Sequence, residues 1–437
     1  MTTPAGGLTL EIDDLDHEGR GVGRHLGKAV FVAGALPGER VRVGRLRRHA
    51  RHDEAALLEV LSPSPTRVAP PCPAFGRCGG CALQHLDAHA QCRVKAHELE
   101  AQLRRIGKVA AEHWLEPEVG LTLGYRRRAR LGVRYLARER RAIVGFRGRD
   151  SARLTPLESC PVLAPPADRL LGPLAELIGS LSVAAHVTEI EVAVTDEVTA
   201  LAVRLLEPPS EDDRARLRRF AAAHAVEFWL RPGDAGSLAP LDAPATPLRY
   251  RLEDFDLTLE FGPLDFVQVN AELNQRLVAR AVALLAAQPD EAVLDLYAGL
   301  GNFTLPLARR AASVLGVEGD AALVARGRDN ALRNGLGNVR FALADLSTEP
   351  RSEPWARERF SRVLLDPPRS GALAVLPLLG RLRPRRLVYI SCHPGTLARD
   401  AGILVHQHRF QLLAAGVVDM FPHTAHVESI AVFEPQR

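Results

Sequence analysis

The apolar positions at the start of the chain follow a period of two. Residues 7 to 62 contain short alternating runs, among them LTLEI and KAVFVAG, which are separated by glycines and charged turns. Such alternation indicates strands with one buried face, and short strands at close spacing are typical of a small barrel. The pattern therefore predicts an OB-like β-barrel of about five strands over residues 1–62.

The pattern changes after a proline-rich linker at residues 62–71. Leu99, Leu103 and Ile106 recur at the spacing of a helix face, whereas the later run EIEVAVTDEVTALAVRLL alternates as a hairpin does. Because helix and strand patterns occur in one segment, we expect a central α+β domain over residues 63–250.

Strand and helix patterns alternate from Phe266 onward. The run AVLDLYAGLGNFTLPLA indicates a strand, a glycine-rich turn and a helix, and FVQVNAELNQRLVARAVALLAA has an apolar helical face. This order predicts a Rossmann-like, doubly wound domain over residues 251–437. The last two predicted strands flank a proline-containing turn, and such a hairpin is typical of S-adenosylmethionine-dependent methyltransferases.

Candidate ligand positions lie where the predicted strands of this domain end. The glycines at 299 and 301 form G-x-G without a third glycine, which favours a cofactor that lacks a pyrophosphate. Glu318 follows Asp295 by 23 positions, and a carboxylate at that distance can bind ribose hydroxyls. We expect four acidic residues to line the ligand edge of the sheet: Asp295, Glu318, Asp345 and Asp366.

Cys392 follows the apolar run LVYI and precedes the turn His393-Pro394-Gly395. We expect Thr396 to cap the helix that follows. A thiol in such a strand-to-helix turn lies near backbone N–H groups and the positive end of the helix dipole, which can lower its pKa. Cys392 is therefore a candidate nucleophile; the alternative is a buried core cysteine.

Three further cysteines lie close together in CPAFGRCGGCALQH, and interposed glycines allow their sulfurs to converge. A cysteine followed by proline, at position 160, is the best candidate for a fourth ligand. Zinc and an iron–sulfur cluster both suit four thiolates, and the spacing leaves both open. The predicted ligands are Cys72, Cys78, Cys81 and Cys160.

The 437 residues carry a net charge of +4, so global charge says little about partners. Arginines cluster in two places, and both clusters favour a phosphate backbone as ligand; the alternative is a solvated face in an arginine-rich protein. No signal peptide or membrane-length apolar run is visible, so we expect a cytoplasmic monomer without membrane contact. The clusters are Arg45, Arg47, Arg48 and Arg51, with His49 and His52, in the barrel, and Arg126, Arg128, Arg130 and Arg134 on one strand face.

The chain resembles the RNA (uracil-5)-methyltransferase family. The resemblance rests on FVQVNAELNQ, DLYAGLGNFTLPLA, LLDPPRSG, SCHPGTLARD and DMFPHTAHVES. The barrel looks like a TRAM domain, and the barrel and cysteines together resemble the bacterial branch that modifies 23S rRNA. Two positions depart from the family pattern: His393 stands where Asn is usual, and Ala298 where Cys is common.

The resemblance implies a role for each matching residue. Cys392 would be the nucleophile and Glu428 the base, the four cysteines would hold a [4Fe-4S] cluster, and a helix at about 92–115 would pack with the catalytic domain. S-adenosylmethionine would be bound by Gln268, Tyr297, Asn302, Glu318, Asp345 and Asp366.

The chemistry of uracil requires such residues. Carbon 5 is too electron-poor to take a methyl group until a thiolate adds to carbon 6, and a base must afterwards remove the carbon 5 proton. We therefore expect methylation of carbon 5 of a 23S rRNA uridine. The alternatives are the same reaction on a tRNA T-loop uridine and a non-catalytic RNA-binding iron–sulfur protein.

Overall fold

The computed structural model describes residues 7–149, 151–233 and 238–436. Its first part is a closed barrel in the strand order β3-β2-β1-β4-β6-β5, closed by a parallel pairing of β3 with β6. Leu10, Ile12 and Val32 are among the side chains that fill it. The predicted barrel is confirmed, and its strands are β1 (Leu8–Leu15), β2 (Arg20–His25), β3 (Lys28–Ala33), β4 (Arg40–Val43), β5 (Arg47–Arg48) and β6 (Asp53–Ser62).

The middle of the chain forms a sheet in the order β10-β9-β8-β11-β12-β13-β14. The predicted hairpin is confirmed as β11 and β12, whose register pairs Ile190 with Val203. The elements of this part are α1 (Ala88–Gln102), β7 (His113–Trp114), β8 (Arg128–Leu136), β9 (Arg141–Arg147), β10 (Leu154–Pro156), α2 (Leu171–Ser180), β11 (Val187–Val194), β12 (Thr199–Leu205), α3 (Glu211–His224), β13 (Val226–Pro232) and β14 (Ala239–Pro240).

The predicted arginine row is only partly formed: Arg128, Arg130 and Arg134 lie on one face of β8, but the row is not a continuous exposed surface. Arg130 and Arg134 are exposed on β8, but Arg128 is 9% exposed and its guanidinium lies over the ring of Phe261. Arg126 precedes the strand. The row is broken because the start of β8 is covered by the C-terminal part of the chain.

The C-terminal part contains a mixed sheet in the order β19-β18-β17-β20-β21-β23-β22-β7. The first five strands in this order, β19, β18, β17, β20 and β21, are parallel, so their carboxyl ends meet at one edge of the sheet. Strand β23 is antiparallel to both of its neighbours. The elements are β15 (Leu248–Leu252), β16 (Leu257–Phe261), α4 (Ala271–Leu285), β17 (Ala292–Leu296), α5 (Thr304–Ala308), β18 (Ser313–Glu318), α6 (Ala321–Arg333), β19 (Val339–Leu343), β20 (Arg362–Leu365), α7 (Leu376–Leu382), β21 (Arg386–Ser391), α8 (Pro394–His408), β22 (Phe410–Val418) and β23 (Glu428–Pro435).

Helix α1 packs on this last part rather than on the sheet that follows it in the chain. Leu99 and Leu103 share a buried core with Leu397 and Phe410, and β7 extends the C-terminal sheet by pairing with β22. A π-helical turn, Leu103–Gly107, ends α1 and lies against α8. None of the helices in the described ranges is both long enough and apolar enough to cross a bilayer.

Candidate active site

Cys392 and Glu428 lie at the tips of neighbouring strands. Cys392 directly follows β21, Glu428 begins β23, and the antiparallel register pairs Ser391 with Ser429. Asp366 directly follows β20, which lies on the other side of β21. The structure therefore brings the sulfur and two carboxyl groups into one site.

The charge state of this site follows from burial. Burial raises the pKa of the Cys392 thiol to about 11; Glu428 and Asp366 add to the rise, and Arg369 opposes it. Burial also raises the pKa of Asp366 to about 7 and that of Glu428 well above its usual value. The prediction that the turn lowers the thiol pKa is wrong, because desolvation and carboxylate repulsion outweigh the nearby N–H groups.

Helix α8 begins one turn earlier than the sequence predicted. His393 rather than Thr396 is the N-cap: its Nδ1 accepts a hydrogen bond from the Thr396 N–H at 3.2 Å, and Pro394 occupies the first helical position. A ring nitrogen that accepts must be unprotonated, so the neutral ring carries its proton on Nε2. His393 thus caps the helix where the family pattern has Asn, which is itself a preferred cap.

Several of the predicted cofactor residues lie around the carboxyl ends of β17 and β18. The Glu318 carboxylate accepts hydrogen bonds from the backbone N–H groups of Gly299 at 3.0 Å, Gly319 at 2.7 Å and Asp320 at 2.9 Å. The turn before it needs left-handed backbone, with φ of +66° at Tyr297, +55° at Gly299 and +103° at Gly301.

The other cofactor candidates lie on both sides of this turn. Asn302 and Asn274 exchange amide hydrogen bonds, and Asn274 shares a cavity with Gln268. Asp345 is exposed and accepts the Ser347 N–H at 2.8 Å. Asn302 follows β17 and Asp345 follows β19, so both lie on the same carboxyl edge of the sheet as Glu318.

Asp295 does not line this edge, contrary to expectation. It is fully buried and accepts a 2.5 Å hydrogen bond from the Thr304 hydroxyl. Burial, with Asp366 and Glu318, raises its pKa to about 8. Its place one residue before the end of β17 turns the side chain into the core.

Two loops bring the four cysteines to one region: Cys72, Cys78 and Cys81 lie between β6 and α1, and Cys160 follows β10. Cys78 bridges to Gly148 beyond β9, and Cys72, Cys78 and Cys160 are close enough to Cys81 to raise the pKa of its thiol further; with burial it reaches about 12. Across the residues that the structure describes, no three cysteine sulfurs lie within 4.8 Å of one another. Four thiolates on one zinc ion, at about 2.3 Å from the metal, would be about 3.8 Å apart.

Two residues near the site were missed by sequence reasoning. Arg369 lies near the Cys392 thiol, and its Nη2 contacts His426 Nδ1 at 2.9 Å; its position just after LLDPP was the available signal. His17, between β1 and β2, is close enough to help lower the pKa of His393. No sequence pattern connects the barrel to Cys392.

Comparisons with known proteins agree with this geometry. Residues 249–435 match the tRNA (Uracil-5-)-methyltransferase family model, and residues 8–44 match the TRAM domain. The fold is similar to a crystal structure of Pyrococcus abyssi tRNA (uracil-54, C5)-methyltransferase in complex with S-adenosyl-L-homocysteine, with a TM-score of 0.76 at 23% identity, covering 98% of this chain and 100% of that one.

Curated relatives match nearly the whole chain. A 23S rRNA (uracil(1939)-C(5))-methyltransferase RlmD of Alkalilimnicola ehrlichii is 51% identical over 97% of this chain and 96% of its own. The protein of that name from Stenotrophomonas maltophilia is 49% identical with the same coverage. At this identity and coverage, the chain belongs to the RNA (uracil-C5)-methyltransferase family with a TRAM domain, in the RlmD branch.

Proposed function

We propose that this chain methylates carbon 5 of a uridine in 23S rRNA, with Cys392 as nucleophile and Glu428 as base. The observation that carries the proposal is the placement of both residues on adjacent strand tips at the carboxyl edge of the sheet. The relatives named as 23S rRNA methyltransferases support the choice of RNA.

Each step uses a group in this site. The Cys392 thiol gives its proton to solvent, the thiolate bonds to carbon 6, and the electron pair of the double bond between carbons 5 and 6 moves to carbon 5. S-adenosylmethionine, when bound, supplies the methyl cation equivalent that carbon 5 takes. Glu428 then removes the carbon 5 proton, the double bond re-forms, and the bond between sulfur and carbon 6 breaks. The raised pKa of Glu428 makes its carboxylate a stronger base.

We propose that the methyl donor is bound along the carboxyl edge of the parallel strands. Glu318 is already fixed by three N–H groups, so about one of the roughly four acceptor sites of its carboxylate is left for a ribose hydroxyl. The remaining contacts would come from Gln268, Tyr297, Asn302, Asp345 and Asp366.

We propose that Cys72, Cys78, Cys81 and Cys160 hold a [4Fe-4S] cluster. Their sulfurs are further apart than one zinc ion requires, which suits a larger core. Anaerobically purified protein should show absorbance at roughly 400 nm, lost in Cys78→Ser and kept in Cys92→Ser, whose thiol lies in a separate core. Bound zinc without that band would overturn this assignment.

The substrate is tested with labelled cofactor on 23S fragments and tRNA, followed by mass spectrometric mapping. Methylation of 23S RNA alone is expected, and methylation confined to tRNA would favour the rival substrate. RNA containing 5-fluorouridine should form a stable adduct with the protein, absent in Cys392→Ala. Lack of any adduct would favour a non-catalytic RNA-binding protein. We further propose a cytoplasmic monomer built of domains 1–62, 63–250 and 251–437, in which α1 and β7 of the middle segment pack with the last domain.

A further inference from the structure

The segment that leads into Glu428, residues 419–427, is held by the N-terminal half of the chain; we name it the base loop. Three consecutive backbone carbonyls of the base loop each accept a hydrogen bond from a different N-terminal segment. The pairs are Lys95 Nζ to Phe421 O at 2.9 Å, Tyr125 Oη to Pro422 O at 3.0 Å, and the N–H groups of Ala82 and Leu83 to His423 O at 2.8 and 2.9 Å.

His423 is the most constrained residue of the base loop. Its φ of +67° is unfavourable for a side chain with a Cβ, and such a conformation persists only where neighbours hold it. Gln91, fully buried in α1, accepts the His423 N–H at 2.7 Å and contacts its Nδ1 at 3.1 Å. One side chain therefore fixes both the backbone and the ring of His423.

A buried ion pair fixes the start of the base loop. Lys95 Nζ lies 2.6 Å from Asp419 Oδ1, and the two side chains are 2% and 4% exposed. The end of the loop is Val427, next to Glu428. Helix α1 thus holds the loop at its first residue and again at Phe421 and His423.

Two of the donors also lie beside the cysteines. Ala82 directly follows Cys81. Tyr125 is buried in the same hydrophobic core as Cys160, and Cys81 packs against that core. The cysteine region is therefore joined to the base loop through backbone and side chain.

We propose that Gln91, Lys95 and Tyr125 are positioning residues that align Glu428 with carbon 5, and that the cysteine region is their support. This inference rests on the proposed role of Glu428 as base. Because these residues act on Glu428 rather than on Cys392, their loss should slow removal of the carbon 5 proton and release of the sulfur, but not addition of the sulfur to carbon 6.

The test is a single-turnover reaction of the full-length protein with 23S RNA fragments and methyl-labelled S-adenosylmethionine. Rapid quenching separates the protein–RNA adduct from released methylated RNA. In Gln91→Ala, adduct should form at the wild-type rate while release slows about tenfold or more, so methylated adduct accumulates. Tyr125→Phe, which removes one hydroxyl, should shift the balance in the same direction.

Asn338→Ala is the matched control. It removes two hydrogen bonds to backbone carbonyls near the opposite edge of the sheet, at 2.9 and 3.0 Å, and should leave the ratio of adduct to product unchanged. Equal slowing of both steps, or no change in Gln91→Ala and Tyr125→Phe, would overturn the proposal. If Gln91→Ala does not fold, Tyr125→Phe decides. Absence of adduct in the wild type would instead overturn the proposed function.

Amide exchange tests the link to the cysteines without relying on activity. Peptides covering residues 419–427 should exchange faster in Cys78→Ser than in the wild type, while peptides from β17 should not change. Unchanged exchange in the base loop would remove the cysteine region from the proposal.

Discussion

At the scale of single residues, burial governs the charge of the Cys392 thiol, and the carboxyl groups beside it add to the rise in its pKa. Its pKa of about 11 means that the resting residue is uncharged at neutral pH. A protonated thiol resists oxidation, and in the proposed reaction only the small thiolate fraction would attack carbon 6.

We therefore predict that adduct formation accelerates with pH. Below its pKa the thiolate fraction rises about tenfold per pH unit, so the single-turnover rate of adduct formation should rise steeply between about pH 6 and pH 8. Rapid-quench measurements at fixed ionic strength check this. A flat profile would mean that bound RNA lowers the pKa of Cys392 below the range tested.

His393 should contribute to stability as a helix cap. His393→Ala should lower the free energy of unfolding by about 1 kcal/mol, whereas His393→Asn should preserve it, as measured by denaturant unfolding at pH 7.5. Burial and Arg369 lower the pKa of His393 in the folded state. The stabilisation by the neutral His393 ring is therefore fully present above about pH 6.5, the pKa of His393 in the unfolded chain, and is lost as the pH falls toward the lower pKa of the folded state. The stability gap between wild type and His393→Ala should narrow in acid; a constant gap would contradict the capping role.

At the scale of elements, the contact between the π-helical turn and α8 depends on glycine. A Cβ on Gly107 would lie 2.4 Å from the Ala398 carbonyl oxygen, and one on Gly402 would lie 2.7 Å from the Gly107 carbonyl oxygen. This close approach lets α1, which is remote in sequence, share a core with the helix after Cys392.

Gly107→Ala should accordingly separate these two elements. We expect a loss of about 1–3 kcal/mol in the free energy of unfolding, because the facing atom is rigid backbone. Denaturant unfolding measures the change. Gly337→Ala, where an added Cβ meets nothing within 4 Å, is the control and should change stability by less than about 0.5 kcal/mol. Similar effects of the two substitutions would contradict the close-packing argument.

At the scale of the whole molecule, the barrel lies beside the C-terminal part of the chain, and His17 of the barrel lines one cavity with Ala425 and Val427. The turn before β2 carries His17 close to His393, so the barrel reaches the mouth of the active site. Arg45, Arg48 and Arg51 are exposed on the barrel, whereas Arg130 on the central sheet is paired with Glu191 at 2.8 Å.

Replacing Arg45, Arg48 and Arg51 with alanine should weaken RNA binding in a salt-dependent way. Each lost phosphate contact should reduce the slope of log K against log salt by about 0.7 to 0.9. Binding titrations with 23S fragments at several salt concentrations measure the slope. Arg130→Ala is the control and should change it little, and S-adenosylmethionine affinity should not change in either variant. If the triple variant keeps the wild-type slope of log K against log salt, the RNA binds a surface other than these barrel arginines.

The sequence by itself determined the elements and most of the strand-end chemistry. Local periodicity predicts strands and helices because side-chain burial on one face is a short-range property, and parallel strands bring their ends to one edge whatever the loops between them. That is why Glu318, Asp366 and Cys392 could be placed at the ligand edge before the fold was known.

Only the tertiary structure decided the charge state of Cys392, the burial of Arg128 and Asp295, and the capping role of His393. It also decided the docking of α1 on α8 and the hold of Gln91 and Lys95 on the base loop. Desolvation, electrostatic repulsion and close packing depend on atoms that are hundreds of residues apart in the chain, and no local pattern records which of them become neighbours.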